Sequence, residues 1–244
     1  MLRMLFWQVM KMELVIEDFD KRTNEIESYL NGLKKLELCA LEVDDSTTED
    51  FLDDDFLRIL KSNALLMIYN LVESTVMSGI LKIYEGLAQN EMTYTKVRKE
   101  IQDIWFSFVH NEVYDRKAHY HAYKDKASEI VTAILSDEIL SLNRKAADIS
   151  GNLDANQIRD ICKNHGIVFN PIQECRGGIV LEDIRNKRNS LAHGSVSFVE
   201  CGRDYSVLRL METKEETVMF LRAVLKGMKE YYDNKQYLIQ EAAI

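Results

Sequence analysis

A short segment late in the 244-residue chain carries residue types that can cleave a phosphodiester bond: Arg188-Asn189-Ser190-Leu191-Ala192-His193. Because histidine titrates near neutral pH, its imidazole can take a proton from a ribose 2′-hydroxyl or protonate the leaving oxygen, which typically contributes about 10²–10⁴-fold to a rate. An arginine guanidinium can bind the negative charge that develops on the phosphoryl oxygens. Arg188 and His193 are therefore the candidate catalytic residues for metal-independent cleavage of RNA.

This candidate pair lies on a predicted helix that extends from Ile179 to His193 and is ended by Gly194. One face of the helix is apolar and is expected to pack into the core; it carries Val180, Ile184 and Leu191. The face roughly opposite Ile184 is polar, with residues at a spacing of four; it carries Arg185, Asn189 and His193. We therefore expect His193 to point outward, Asn189 to orient its ring, and Arg185 to support the site.

Helical geometry separates the two candidate catalytic side chains. Arg188 and His193 are five residues apart, which corresponds to about 140° around an ideal helix. One helix alone therefore does not direct both side chains toward the same atom. We expect a two-fold homodimer in which this helix meets its own copy, so that the arginine and histidine of both subunits line one cleft.

The elements that must position these residues are predicted to be long helices. The chain has one proline, Pro171, and only 10 glycines, so few positions forbid a continued helix. Further helices are predicted over about 3–38, 53–88, 94–111, 117–142 and 155–164, and from a capping box at Thr213-Lys214-Glu215-Glu216 to about residue 240. Residues 195–212 are expected to form an insertion or a small β-hairpin. The sequence predicts a single all-α domain over 1–244, built as a bundle of long antiparallel helices.

The net charge of −9 does not exclude a nucleic-acid partner, because the excess acid is concentrated in one segment. Residues 42–55 contain eight acidic side chains and no basic one, which leaves the rest of the chain close to neutral. We interpret this acidic loop as a solvated linker. The alternatives are that it shields a basic cleft or binds a basic antitoxin.

The same sequence argues against several other classes. We find no apolar stretch of the length that crosses a bilayer, and the apolar residues of 1–9 continue into a helical pattern without a cleavage site. The four cysteines lie at wide, irregular spacings, which indicates reduced thiols and a cytoplasmic protein. His119 and His121 are two residues apart and would diverge on a helix, so we expect neither a metal nor a cofactor.

The segment from Arg188 to Gly194 resembles the R-x4-H motif of the HEPN superfamily, including the polar residue after the arginine. Tyr69-Asn70-x-x-Glu73-Ser74, on the second predicted helix, resembles a polar cluster of its toxin and defence branch. The resemblance implies a dimeric, metal-independent endoribonuclease that leaves cyclic phosphate ends, commonly in toxin–antitoxin or antiphage systems. It also implies that Asn70 and Glu73 support the site. The acidic loop and the hairpin are not part of the superfamily pattern.

Other interpretations of the same residues remain open. Arg188 and His193 could be an ordinary helix end, and Asn70 and Glu73 could be buried polar residues that bond within the bundle; Glu73 could also pair with Arg185 or Arg188. The protein could instead be a non-catalytic HEPN protein that binds nucleotides or partners a nucleotidyltransferase, with Tyr205 as the nearest tyrosine for modification. A dimeric bundle that scaffolds other proteins is the third alternative.

Overall fold

The computed structural model describes residues 11–42, 54–111, 120–149 and 151–239. Within these ranges the chain forms eight α-helices and no β-strand, so the predicted all-α class is confirmed. The helices are α1 (Lys11–Glu42), α2 (Asp54–Gln89), α3 (Lys99–Asn111), α4 (Tyr120–Leu135), α5 (Ala155–His165), α6 (Val180–Ala192), α7 (Phe198–Arg203) and α8 (Val207–Asp233). Short 3₁₀ segments cover Tyr94–Lys96 and Gln173–Gly178.

Helix α2 is the centre of the fold, because it is apolar on almost every side. It packs against α1, α6, α7 and α8. By length and composition, α2 alone among the described helices could also cross a bilayer, which corrects the prediction that no stretch of the chain could do so. In this fold 61% of its apolar window is buried, as in the core helix of a bundle.

The predicted hairpin after the motif helix is wrong, because residues 198–203 and 207–233 are helical. The Ser197 hydroxyl accepts a hydrogen bond from the Glu200 backbone N–H, and the Glu200 carboxylate accepts one from the Ser197 N–H, so a capping box begins α7. The Ser206 hydroxyl accepts from the Arg209 N–H and begins α8. Short apolar runs are compatible with either a strand or a buried helix. Here the N-cap residues Ser197 and Ser206 favour the helix.

The predicted capping box at Thr213 is also wrong, because Thr213 and Lys214 already lie inside α8 and are buried. The Lys214 ammonium forms ion pairs with Glu27 and Glu215. The fourth predicted helix ends at Leu135 instead of 142, and the third begins at Lys99, after the 3₁₀ segment and an extended Val97. Residues 1–10 and most of the acidic loop lie outside the described residues.

Two glycines show where the packing is tight and where it is open. A Cβ atom on Gly202 of α7 would lie 1.9 Å from the backbone carbonyl oxygen of Arg58 on α2, so α7 can approach α2 only without a side chain there. Gly32 lies on α1 with no atom within 4 Å of the corresponding position. These positions provide a matched pair for testing the α2–α7 contact.

We predict that Gly202→Ala lowers the free energy of unfolding by about 2 kcal/mol or more, because the new methyl group overlaps backbone atoms that cannot rotate away. Gly32→Ala should be neutral or should stabilise the protein by up to about 1 kcal/mol, since alanine is the better helix former. Urea denaturation of both variants measures the difference. Equal effects would contradict the close approach of α7 to α2.

A buried histidine connects α5 to α2. The Tyr84 hydroxyl is 2.7 Å from His165 Nε2, and His165 Nδ1 is 2.7 Å from the Ile161 carbonyl oxygen. Because that carbonyl can only accept, Nδ1 carries the proton and the Tyr84 hydroxyl donates to Nε2. Burial lowers the pKa of His165 from 6.5 to about 4. The neutral imidazole is therefore the form that the fold contains.

We predict that His165 makes the fold acid-sensitive. As the pH falls, the unfolded chain binds the proton near pH 6.5, before the folded protein does at about pH 4. The contribution of His165 to stability is therefore complete above about pH 6.5 and is lost as the pH falls toward 4, by up to about 3 kcal/mol. Denaturation curves of His165→Gln should depend less on pH in this window than those of the wild type. Parallel curves would contradict the prediction; the exposed His110→Gln is the control.

Candidate functional site

Helix α6 carries the Arg188/His193 motif and faces the core as predicted. Val180, Ile184 and Leu191 are buried, and Leu181 extends the same apolar face. This face packs against the central helix α2. The polar face of α6 is thereby directed away from α2, and its residues are free to contact the loop that precedes α5.

Arg188 is held by four neighbouring groups, which we call the Arg188 cradle: Tyr69, Glu73, Gly151 and Asn189. Its guanidinium carbon lies 4.6 Å from the centroid of the Tyr69 ring. Its Nη1 donates to the Gly151 carbonyl oxygen at 2.8 Å and to Asn189 Oδ1 at 3.0 Å. Its Nη2 is 3.5 Å from Glu73 Oε1. The cradle supports one face of the guanidinium and provides acceptors for both Nη groups.

Each residue of the loop 151–154 makes a hydrogen bond to a side chain of α2 or of the motif helix α6. Gly151 accepts from Arg188, as described above. The Asn152 side-chain oxygen accepts from Asn189 Nδ2 at 2.5 Å. The Leu153 backbone N–H donates to the Tyr69 hydroxyl at 3.0 Å. The loop therefore joins the motif helix to α2.

Asp154, the last residue of this loop, serves two helices at once. Its carboxylate accepts from the backbone N–H groups of Asn156 and Gln157, both at 2.9 Å, and so caps the N-terminus of α5. The same carboxylate forms an ion pair with Arg185 of α6, and Asp154 as a whole is only 8% exposed. Arg185, which the sequence suggested as a supporting residue, is thus engaged by Asp154.

His193 lies at the C-cap of α6. Its backbone N–H donates to the Asn189 carbonyl oxygen at 2.9 Å, and its side chain is exposed, as predicted. No side chain within the described ranges makes a hydrogen bond to its imidazole. The Asn189 side chain bonds instead to Asn152 and Arg188, so within one subunit it orients the arginine and not the histidine ring.

The polar cluster on α2 reaches the motif helix only in part. Glu73 contacts Arg188, so the interpretation in which these two residues pair is confirmed. Asn70 is exposed, which makes the interpretation of it as a buried polar residue wrong. The Ser74 hydroxyl donates to the Leu71 carbonyl oxygen of its own helix. Of the two supporting residues expected on α2, the structure brings only Glu73 to the arginine.

Sequence reasoning did not assign a role to three residues of this site: Tyr69, Gly151 and Asp154. Tyr69 belongs to the polar cluster on α2, but nothing in the sequence pairs it with Arg188. The loop 151–154 is recognisable only as a turn before a helix. Asp154 followed by Gln157 is a capping-box pattern, and this signal identifies the cap but not its ion pair with Arg185.

The environment of Tyr69 keeps its hydroxyl neutral. Burial, together with the negative charge of Glu73, raises the pKa of Tyr69 to about 12, and the positive charge of Arg188 opposes this shift. The hydroxyl is therefore protonated throughout the neutral range. Tyr69 can hold a neighbour by hydrogen bonds, but it cannot act as a base near pH 7.

Tyr205, the nearest tyrosine to the motif by sequence, contacts Asp183 and Lys187 of α6. It is buried, and its hydroxyl donates to Asp183 Oδ2 at 2.6 Å. Burial and the charge of Asp183 raise the pKa of Tyr205 above its ordinary value. Its engaged hydroxyl gives no support to modification at this position.

The described residues also contain no group of three or more His, Cys, Asp or Glu side chains that could hold a metal ion.

We predict that Arg185 and Asp154 stabilise the fold as a coupled pair. Arg185→Met should lower the free energy of unfolding by about 2–4 kcal/mol, because it leaves a mostly buried carboxylate without its counter-charge. A double-mutant cycle with Asp154→Asn, which keeps a capping side chain, should give a coupling energy of about 1–3 kcal/mol. Arg209→Met, which breaks an exposed pair with Glu212, is the control. A coupling energy near zero would refute the pairing.

Comparison with known proteins identifies the family of the chain. The family model described as MAE_28990-like HEPN matches residues 11–237, which include the cradle and the whole R-x4-H segment. No curated protein and no solved structure matches the chain significantly. The resemblance to the HEPN superfamily is thus confirmed, and the chain belongs to the MAE_28990-like HEPN family.

Proposed function

We propose that this HEPN protein is a metal-independent endoribonuclease whose site is completed by a second copy of the chain. The observation that carries the proposal is that one helix bears both an oriented arginine and an exposed histidine. Arg188 is oriented by its cradle, and His193 lies in solvent at the end of α6. A cation with a fixed direction and an accessible imidazole are groups that can cleave an RNA phosphodiester without a metal ion.

In the proposed reaction, the ribose 2′-oxygen forms a bond to phosphorus while the bond from phosphorus to the 5′-oxygen breaks. The neutral imidazole of one His193 takes the proton of the 2′-hydroxyl, and a protonated His193 gives a proton to the departing 5′-oxygen. Arg188 binds the non-bridging oxygens, on which negative charge increases in the transition state. The products are a 2′,3′-cyclic phosphate and a 5′-hydroxyl, and no metal ion takes part.

The position of the two side chains supports the participation of a second subunit. Arg188 is drawn toward α2 by Tyr69 and Glu73, whereas His193 projects from the C-terminal end of α6. Their separation of about 140° around the helix adds to this divergence. In the proposed homodimer two copies of α6 meet, and the histidine of one subunit faces the arginine of the other.

The biological role that we propose is that of a toxin or an antiphage defence effector in the cytoplasm. This role is supported by the resemblance of the α2 cluster to that branch of the superfamily, since Glu73 from the cluster contacts Arg188. The acidic segment 42–55 would then suit a basic antitoxin or regulatory protein. RNA is the substrate in this proposal, and no membrane is involved.

We predict that the purified protein cleaves single-stranded RNA in the presence of EDTA, and that His193→Ala lowers the rate about 10²-fold or more. His110→Ala removes another exposed histidine and should leave the rate unchanged. Cleavage is measured on end-labelled RNA, with the cyclic phosphate identified by its resistance to phosphatase. Absence of cleavage by the wild type, or full activity of His193→Ala, would sink the proposal.

Mixing inactive subunits tests the dimer within the same assay. If Arg188 of one subunit works with His193 of the other, a mixed dimer of Arg188→Ala and His193→Ala subunits keeps one such pair. It should therefore regain part of the activity, although it lacks the second histidine. Each variant alone should stay inactive. A protein that is strictly monomeric in sedimentation and still cleaves RNA would contradict the shared site.

A further inference from the structure

We propose that Tyr69 is a positioning residue for Arg188, and that it leaves the Nε edge of the guanidinium free to bind a phosphate oxygen. This inference rests on the proposed ribonuclease function and assigns the direction from which the RNA backbone reaches the site. Tyr69 acts through two separate groups. Its ring supports one face of the guanidinium, and its hydroxyl holds the loop that occupies one edge.

The ring provides a rigid support because it is fixed in the core. Tyr69 is fully buried on α2, whereas Arg188 lies above it with its guanidinium carbon 4.6 Å from the ring centroid. A cation over an aromatic face is attracted by the negative face of the ring, and more strongly where water is excluded. The ring covers a face of the planar group, so the N–H donors in that plane remain available for hydrogen bonds.

Those donors are not equally occupied. Nη1 has two hydrogens, and it donates to two acceptors, the Gly151 carbonyl oxygen and Asn189 Oδ1. Nη2 also has two hydrogens, and Glu73 at 3.5 Å is its one acceptor in the described part of the chain. Nε has no acceptor among the residues that the structure describes. Nε and Nη2 form one edge of the guanidinium, and such an edge matches two oxygens of a phosphate.

The Tyr69 hydroxyl holds in place the loop whose Gly151 carbonyl oxygen accepts from Arg188 Nη1. It accepts the hydrogen bond from the Leu153 backbone N–H and so holds the loop two residues after the Gly151 carbonyl. The fit at Gly151 is tight, because a Cβ atom there would lie 3.1 Å from Glu73 Oε1 and 3.4 Å from Arg188 Nη2. With this loop in place, the guanidinium cannot turn its Nη1 side toward solvent without losing two hydrogen bonds.

The test separates the ring from the hydroxyl. Tyr69→Phe keeps the ring and removes the bond to Leu153, whereas Tyr69→Leu removes both. Tyr84 supplies the matched control, because it is another buried tyrosine of α2. Its hydroxyl binds His165 at the C-terminal end of α5, whereas the Tyr69 hydroxyl binds Leu153 just before the N-terminal end. Tyr84 is 15 residues further along α2, about 22 Å at 1.5 Å per residue.

The first measurement is the NMR signal of the Arg188 Nε–H group, assigned by its loss in Arg188→Lys. In the wild type the signal should be displaced by the Tyr69 ring and should move when a short single-stranded DNA is added. This DNA supplies the phosphates but lacks the 2′-hydroxyl, so it cannot be cleaved. Tyr69→Phe should keep the ring-induced displacement, and Tyr69→Leu should abolish it and weaken DNA binding by about 10-fold.

The second measurement is the kinetics of RNA cleavage. Tyr69→Leu should lower kcat and raise KM, Tyr69→Phe should show a smaller effect on both, and Tyr84→Leu should lower the melting temperature without changing the Arg188 signal or KM. Two results would overturn the inference: an Arg188 Nε–H signal that ignores DNA, or Tyr69 and Tyr84 variants that change the signal equally.

Failure of the proposed function gives a different result. If the wild type does not cleave RNA but the Arg188 Nε–H signal responds to DNA and depends on the Tyr69 ring, then the positioning role holds and the ribonuclease proposal fails. If RNA is cleaved and the signal is unaffected by DNA, then the positioning inference fails and the ribonuclease proposal stands.

Discussion

The Asp154 carboxylate is the group on which both the fold and the site depend. It caps α5, and it balances the charge of Arg185 on α6, in a position with little access to water. A charge in such a position is tolerated only when it is paired and hydrogen bonded, and here both conditions are met by groups from two helices. The carboxylate thereby fixes the loop 151–154 against the motif helix, and the rest of that loop can reach Tyr69, Arg188 and Asn189.

The two arginines of the motif helix therefore have different electrostatic environments. Arg185 has a close, largely buried counter-charge in Asp154. Within the described ranges, the counter-charge of Arg188 is the Glu73 carboxylate at 3.5 Å, and the side chains of this second pair are each 28% exposed. The other neighbours of Arg188 are an aromatic ring and neutral oxygens, which orient a cation without cancelling its charge. An acidic protein can in this way hold a positive charge at a defined place, only partly balanced by a longer and more exposed ion pair.

Much of this arrangement could be predicted from the sequence, for a physical reason. Periodicity reports which face of a helix is buried, so the apolar face of α6 and the apolar character of α2 were recognised correctly, as were the ends of α5 and α6 at Gly166 and Gly194. The region after Gly194 was misjudged because its short apolar runs have no decisive period. The contacts of Arg188 with Tyr69 and Gly151 could not be predicted, because these residues lie far apart in the sequence and only tertiary packing brings them together.

Tyrosines of α2 hold both ends of the unit that contains α5. Tyr69 binds the Leu153 N–H just before the helix, and Tyr84 binds His165 at its last residue. Since each residue added to a helix advances it by about 1.5 Å and turns it by about 100°, one inserted or deleted residue would break at least one of the two bonds. Helix α5, with eleven residues, is thus a spacer of fixed length between the two bonds.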